Sequence, residues 1–142
     1  CNLLAFDPTE SDEAKQLGIR YADLNEVLKQ ADIISLHCPL NEHTRHMIST
    51  KEFSIMKHGA MLINTSRGAL IDTKEAIEAL KTGALGYLGI DVYEEEEKLF
   101  FHDFSESIIS DDILMRLMTF PNVLITSHQA FFTHFMNYFP VL

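Results

Sequence analysis

The stretch that decides the fold is residues 60–91, AMLINTSRGALIDTKEAIEALKTGALGYLGID. It contains two short apolar runs, at residues 60–63 and 88–90, and each run predicts a β-strand. Between them, Asp72 stands where a helix N-cap is expected, and Gly83 stands where a helix C-cap is expected. The stretch therefore predicts a strand–helix–strand unit with two parallel strands.

The same alternation extends to both sides of this unit. Further strands are predicted at residues 3–6, 33–36 and 123–125, and further helices at 10–17, 24–29 and 112–118. Asp23 is the predicted N-cap of the helix at 24–29, Asp111 and Asp112 open the helix at 112–118, and a capping box at Ser49–Glu52 opens another helix. The continuous apolar run at 33–36 is typical of a strand covered on both faces. Strands that alternate with helices through short connections predict a parallel sheet with helices on both faces.

Composition restricts the class of protein. The chain has 142 residues, 46% of them hydrophobic, which suffices for one globular domain. A net charge of −10 argues against nucleic acid as a partner, because phosphate binding requires clustered Lys and Arg. No apolar run reaches the roughly 18 residues of a membrane span, and no secretory signal is visible. The two cysteines, Cys1 and Cys38, suggest a reducing compartment, so a cytoplasmic location is predicted.

Three residues of complementary chemistry follow predicted strands. Arg67, Glu96 and His128 each stand just past an apolar run. Ligands of open α/β sheets bind beyond the carboxyl ends of the strands. An arginine fork binds a carboxylate in bidentate fashion, and a histidine beside an acid is a natural general acid near neutral pH. The set suits a carboxylate substrate whose carbonyl receives a proton.

Each of these residues also has a structural alternative. Arg67 could be a surface residue of an ordinary loop, the four glutamates at 94–97 could be a solvated run, and His128 could be a structural histidine. Asp7 with Pro8 could simply form a turn, and Asp91 could be structural or could contact a ribose. A metal site built from His37, Cys38, His43 and His46 is disfavoured, because a second ligand pair at zinc-site spacing is absent.

Four strings closely resemble the D-isomer-specific 2-hydroxyacid dehydrogenases: SLHCPLNEHTRHMIS (35–49), INTSRGALIDTKEAIEAL (63–80), GIDVYEEEEKLFF (89–101) and SHQAFFT (127–133). They occur in the order and at the separations of that family, and the resemblance covers residues 3–133. The residues after His128 and the insertion at 99–101 resemble the NAD-dependent D-lactate branch.

This resemblance implies roles for individual residues. Arg67 would hold the substrate carboxylate, His128 would be the acid/base, and Glu96, the second acid of a Tyr-Glu-x-Glu pattern, would pair with His128. The cofactor would be NAD, contacted by Asp7, Cys38, Pro39, Thr44, Thr65, Ser66 and Asp91. The partners would be a small 2-oxo or 2-hydroxy acid and, for the full-length protein, further copies of itself.

The chain departs from the family at both ends. The first strand and the glycine-rich turn would precede Cys1, so an incomplete, doubly wound, Rossmann-like sheet is expected. Residues 1–133 are predicted to be a partial NAD-binding domain, and residues 134–142 an atypical tail. The isolated chain is expected to fold poorly because a central strand edge would be exposed. An inert or merely binding fragment and a dehydrogenase of another D-2-hydroxy acid are the alternatives to pyruvate reduction.

Overall fold

The computed structural model describes residues 1–95, 111–126 and 128. A four-stranded parallel sheet has the order β3-β4-β5-β6, and a smaller parallel sheet pairs β1 with β2. The strands are β1 (Leu4–Ala5), β2 (Arg20–Tyr21), β3 (Ile33–Leu36), β4 (Ala60–Asn64), β5 (Leu85–Ile90) and β6 (Val123–Ile125). The helices are α1 (Asp12–Gln16), α2 (Leu24–Gln30), α3 (Thr50–Ile55), α4 (Thr73–Thr82) and α5 (Asp112–Met118), with a 3₁₀ turn at Gly68–Leu70.

The predicted helix caps are confirmed. Asp23, Asp72 and Asp111 each accept hydrogen bonds from backbone N–H groups of the first turn of α2, α4 and α5. Ser49 and Glu52 form the predicted capping box of α3. These local interactions satisfy N–H groups that the helices themselves cannot pair, which is why they could be read from sequence.

The structure differs from prediction in the extent of some elements. Strand β2 was not predicted, because Arg20 and Tyr21 form too short a run to show a period. Strand β5 begins at Leu85, three residues earlier than expected. Helix α1 begins after Ser11, whose hydroxyl accepts a hydrogen bond from the N–H of Ala14.

The larger sheet is covered on one face only in the part of the chain that the structure describes. Helices α2 to α5 pack as a row against that face, where Leu62 and Leu88 are buried. The prediction that β3 is covered on both faces is wrong: Ile34 and Leu36 are buried, but Ile33 is 62% exposed. Side chains alternate between the two faces of a strand, so the uncovered face exposes the odd positions of β3.

Some predictions fall outside the described residues. Glu96 and the tail at residues 134–142 are among them, so the role of Glu96 and the division into domains remain predictions. Within the described residues, no helix is long and apolar enough to cross a bilayer.

Candidate active site

The carboxyl ends of three neighbouring strands lie level with one another. Asn64 at the end of β4 pairs with Ile90 of β5, and Ile90 pairs with Ile125 of β6. The loops that follow these strands therefore start from one edge of the sheet. Arg67 stands on the first of these loops and His128 on the last, which is the arrangement that the sequence predicted for substrate binding and proton transfer.

His128 is held by the end of the middle strand. Its backbone N–H donates a hydrogen bond to the carbonyl oxygen of Asp91 at 2.7 Å, and its φ is 52°, in the left-handed region. Such a conformation is uncommon for a residue with a Cβ, and it occurs preferentially at functional sites. The backbone at His128 is thus determined by tertiary contact rather than by local preference.

Asp91 has a structural task that the sequence left open. It is 5% exposed, and its carboxylate accepts a hydrogen bond from the hydroxyl of Thr126. Its own N–H donates to the carbonyl oxygen of Asn64 at 3.0 Å. Asp91 therefore ties the ends of β4 and β6 to the end of β5.

Asn64 is a site residue that sequence reasoning missed. Its side chain is fully buried, and Nδ2 donates to the carbonyl oxygen of Arg67 at 2.9 Å while Oδ1 accepts from the N–H of Ser66 at 3.1 Å. These two bonds determine the shape of the turn that presents Arg67, whose exposed guanidinium donates to the carbonyl oxygen of Ser66 at 2.7 Å. The signal in the sequence that could have indicated this role of Asn64 is an asparagine at the end of an otherwise apolar strand.

Gly68, the residue after Arg67, lies where two backbone segments approach each other closely. In the structure, a Cβ on Gly68 would lie 2.1 Å from the carbonyl carbon of Tyr93 and 2.4 Å from the backbone nitrogen of Glu94. The close approach is therefore between the Arg67 loop and the Tyr93–Glu94 peptide.

Most of the predicted cofactor residues lie at the same edge of the sheet. The Ser66 hydroxyl donates to the carbonyl oxygen of Cys38 at 2.8 Å, which joins the loop after β4 to the loop after β3. Within the loop after β3, the Thr44 hydroxyl donates to the carbonyl oxygen of Pro39 at 2.7 Å. Burial raises the pKa of the Cys38 thiol, which keeps it protonated and argues against a nucleophilic role.

A groove of about 470 Å³ runs along the uncovered face of β4, β5 and β6. Ile63 and Gly89 form part of its apolar floor, and Thr65, Asp91 and Thr126 line it at the carboxyl ends of the strands. An apolar floor with a few polar groups at one end is the usual character of a small-molecule or cofactor site.

Asp7 lies just beyond the smaller sheet. It follows β1, and its Oδ1 accepts a hydrogen bond from the N–H of Thr9 at 2.7 Å, so the turn that the sequence offered as an alternative is present. The side chain is exposed, and its predicted contact with a ribose remains a prediction.

The histidines of the predicted loop are dispersed among separate partners. His37 Nε2 lies 2.9 Å from the hydroxyl of Ser35, and His43 lies beside Glu42 on the surface. His46 Nε2 lies 2.6 Å from Oε1 of Glu94. Among the described residues, no three His, Cys, Asp or Glu side chains form a group that could hold a metal ion.

Known proteins match the chain over almost its whole length. Residues 1–130 match the family described as D-isomer specific 2-hydroxyacid dehydrogenase, NAD binding domain. The 2-hydroxyacid dehydrogenase A of Aspergillus oryzae is 56% identical over 94% of this chain, and the D-lactate dehydrogenase of Escherichia coli is 53% identical over 92% of it. A crystal structure of D-lactate dehydrogenase with NAD⁺ from Lactobacillus jensenii is 41% identical over 92% of the chain and superimposes with a TM-score of 0.85.

The chain spans about two fifths of each of these proteins: 38% of the Aspergillus enzyme, 40% of the Escherichia enzyme and 39% of the Lactobacillus enzyme. The parallel α/β architecture predicted from sequence and the expected cofactor, NAD, agree with this match. The chain belongs to the D-isomer-specific 2-hydroxyacid dehydrogenases, and its residues 1–130 correspond to their NAD-binding domain.

Proposed function

We propose that the protein reduces pyruvate to D-lactate with NADH. The observation that carries this proposal is the alignment of the ends of β4, β5 and β6, which places the Arg67 loop and His128 at one edge of the sheet. Two of the relatives reported above, 53% and 41% identical to this chain, are named D-lactate dehydrogenases. A third is named more broadly as a 2-hydroxyacid dehydrogenase, which supports the reaction class without fixing the substrate.

Arg67 binds the carboxylate of the substrate in this proposal. Its guanidinium is exposed, and its backbone carbonyl oxygen accepts a hydrogen bond from the buried Asn64 side chain. The planar fork of an arginine offers two parallel N–H donors to a carboxylate. Binding by both donors fixes the orientation of the neighbouring carbonyl group, which is a large part of catalysis by positioning.

His128 provides the proton. The bound cofactor would supply a hydride to the carbonyl carbon, and the protonated imidazole of His128 would donate its proton to the carbonyl oxygen, so that the ketone becomes an alcohol. In the reverse direction the same imidazole accepts the hydroxyl proton. The bond between the His128 N–H and the Asp91 carbonyl supports this role because it fixes the backbone from which the imidazole extends.

Glu96 is the proposed partner of His128, and a carboxylate in that place stabilises the protonated imidazole. Glu94, the other candidate two residues earlier, is already in contact with His46 and Arg45. This engagement of Glu94 supports Glu96 as the pairing acid. The cytoplasmic location and the assembly into oligomers also remain predictions.

The test is an assay of the purified intact protein with NADH and a series of 2-oxo acids. We expect oxidation of NADH with pyruvate and formation of lactate that only a D-specific assay detects. NADPH should be a poorer donor, because a carboxylate at the position of Asp7 repels the 2′-phosphate. Reduction of larger 2-oxo acids but not of pyruvate would assign another D-2-hydroxy acid, and reduction of none would leave the protein as a binding or inert product.

A further inference from the structure

We propose that His46 is a positioning residue that, by holding Glu94, sets the loop that presents Arg67 to the substrate. This inference rests on the proposed role of Arg67 in binding the carboxylate. His46 does not lie at the carboxyl ends of β4, β5 or β6 but in the segment between β3 and α3. It is joined to two other segments that border the site.

The first connection is through the backbone of His46. Its N–H donates to the carbonyl oxygen of Ala69 at 2.8 Å, and two residues later the N–H of Ile48 donates to that of Leu70 at 3.1 Å. His46 has a φ of 51°, in the left-handed region, so the local backbone preference opposes this conformation. The segment is therefore held against the turn at Gly68–Leu70 by these contacts.

The second connection is through the side chain. Nε2 of His46 lies 2.6 Å from Oε1 of Glu94, and a terminal guanidinium nitrogen of Arg45 lies 3.3 Å from the same oxygen. Nδ1 of His46 lies 3.7 Å from Oδ2 of Asp72, the N-cap of α4. The Glu94 side chain is 19% exposed, so this contact is less weakened by solvent than a surface ion pair.

The two connections meet at Gly68. The peptide between Tyr93 and Glu94 lies so close to Gly68 that no Cβ could be accommodated there. A shift of Glu94 therefore moves a peptide that is in direct contact with the residue after Arg67. His46 restrains both partners of this contact, the turn through its N–H and Glu94 through its imidazole.

The experiment compares His46→Asn with His43→Asn in the intact protein. Asparagine tolerates the left-handed conformation but cannot reach Glu94 as the imidazole does. His43, three residues away, has a side chain that is 85% exposed and is the matched control. We expect His46→Asn to raise the KM for pyruvate about tenfold, with the KM for NADH and kcat changed less than about threefold.

Glu94→Gln and the double variant complete a thermodynamic cycle. If both side chains act through one contact, the double variant should raise the KM for pyruvate no further than the more severe single variant. An increase in the KM for pyruvate of the double variant that equals the product of the two single increases would overturn the proposal. So would a KM for pyruvate in His46→Asn that stays within about twofold of the wild type, or an equal increase in His43→Asn.

A measurement without substrate separates this inference from the proposed function. Hydrogen exchange of the backbone amides of Leu70 and Ile71, which donate to Arg67 and Gly68 respectively, should accelerate in His46→Asn. Amides of α4 and β5 should keep the wild-type rate. If no 2-oxo acid is reduced, the proposed function fails while local acceleration still supports the role of His46 in setting the loop; uniform or absent acceleration overturns it.

Discussion

The backbone N–H of His128 donates a hydrogen bond to the carbonyl oxygen of Asp91 at 2.7 Å, across the ends of two neighbouring strands. The carboxylate of Asp91 also accepts a hydrogen bond from the hydroxyl of Thr126. Two hydrogen bonds, from Thr126 and from His128, therefore connect the segment after β6 to Asp91. His128 adopts a left-handed backbone conformation under these restraints. The position of the proposed acid/base is thus a property of paired strands rather than of its own loop.

The first prediction concerns His128→Asn. Asparagine accepts the left-handed conformation, so the melting temperature should stay near that of the wild type. The reduction of pyruvate should fall about 10²- to 10⁴-fold, because the amide cannot transfer the proton. Steady-state kinetics and thermal unfolding of the same preparation check both parts. Near-normal turnover would refute the acid/base assignment.

His128→Ala provides the complementary measurement. It should lose the same activity, and it should also lose about 1 kcal/mol of unfolding free energy because alanine resists the left-handed region. Urea denaturation of the two variants compares these free energies. Equal stability of His128→Asn and His128→Ala would show that the backbone conformation costs little at this position.

The second prediction concerns Arg67→Lys. An ammonium group keeps the charge but lacks the planar fork, so the KM for pyruvate should rise about 10- to 100-fold. Arg116→Lys, an exposed arginine on α5, is the matched control and should leave kinetics unchanged. Saturation curves for pyruvate at fixed NADH measure the effect. A parallel increase in the KM for NADH would point to the cofactor instead.

The third prediction concerns Gly68→Ala. A methyl group would lie 2.1 Å from the carbonyl carbon of Tyr93, so the backbone must separate and the unfolding free energy should fall by about 2 kcal/mol or more. Gly89→Ala is the control, because its Cβ would be an ordinary 3.9 Å from Ile63. Chemical denaturation of both variants gives the comparison, and equal stability would contradict the close approach.

The fourth prediction concerns Tyr93 and alkaline pH. Burial raises the pKa of Tyr93, and its hydrogen bond to Asp111 at 2.8 Å raises this pKa further. Because the folded pKa exceeds the unfolded value of 10.0, the folded state keeps its proton where the unfolded state loses it. The stabilisation is complete below pH 10 and is lost as the pH rises above that value.

Tyr93→Phe should remove this dependence. Its unfolding free energy should fall less between neutral and strongly alkaline pH than that of the wild type. Tyr87→Phe, at a tyrosine that is 55% exposed, should behave like the wild type. Denaturation curves across this pH range measure the difference, and identical slopes for the two variants would contradict the role of Tyr93.

Local interactions were the part of this protein that its sequence determined alone. The caps at Asp23, Asp72 and Asp111 and the strand–helix alternation were predicted because each depends on residues a few positions apart. Because ligands of open α/β sheets bind beyond the carboxyl ends of the strands, the sequence also predicted that Arg67 and His128 lie at one edge of the sheet.

Tertiary structure decided what depends on residues distant in sequence. The buried role of Asn64, the approach of Gly68 to Tyr93 and the pairing of His46 with Glu94 each join segments that come together only after the strands have aligned. The uncovered face of β3 likewise depends on where the helices pack, which an apolar run cannot specify. Sequence patterns reflect short-range preferences, whereas these contacts exist only when the sheet brings distant groups within a few ångströms.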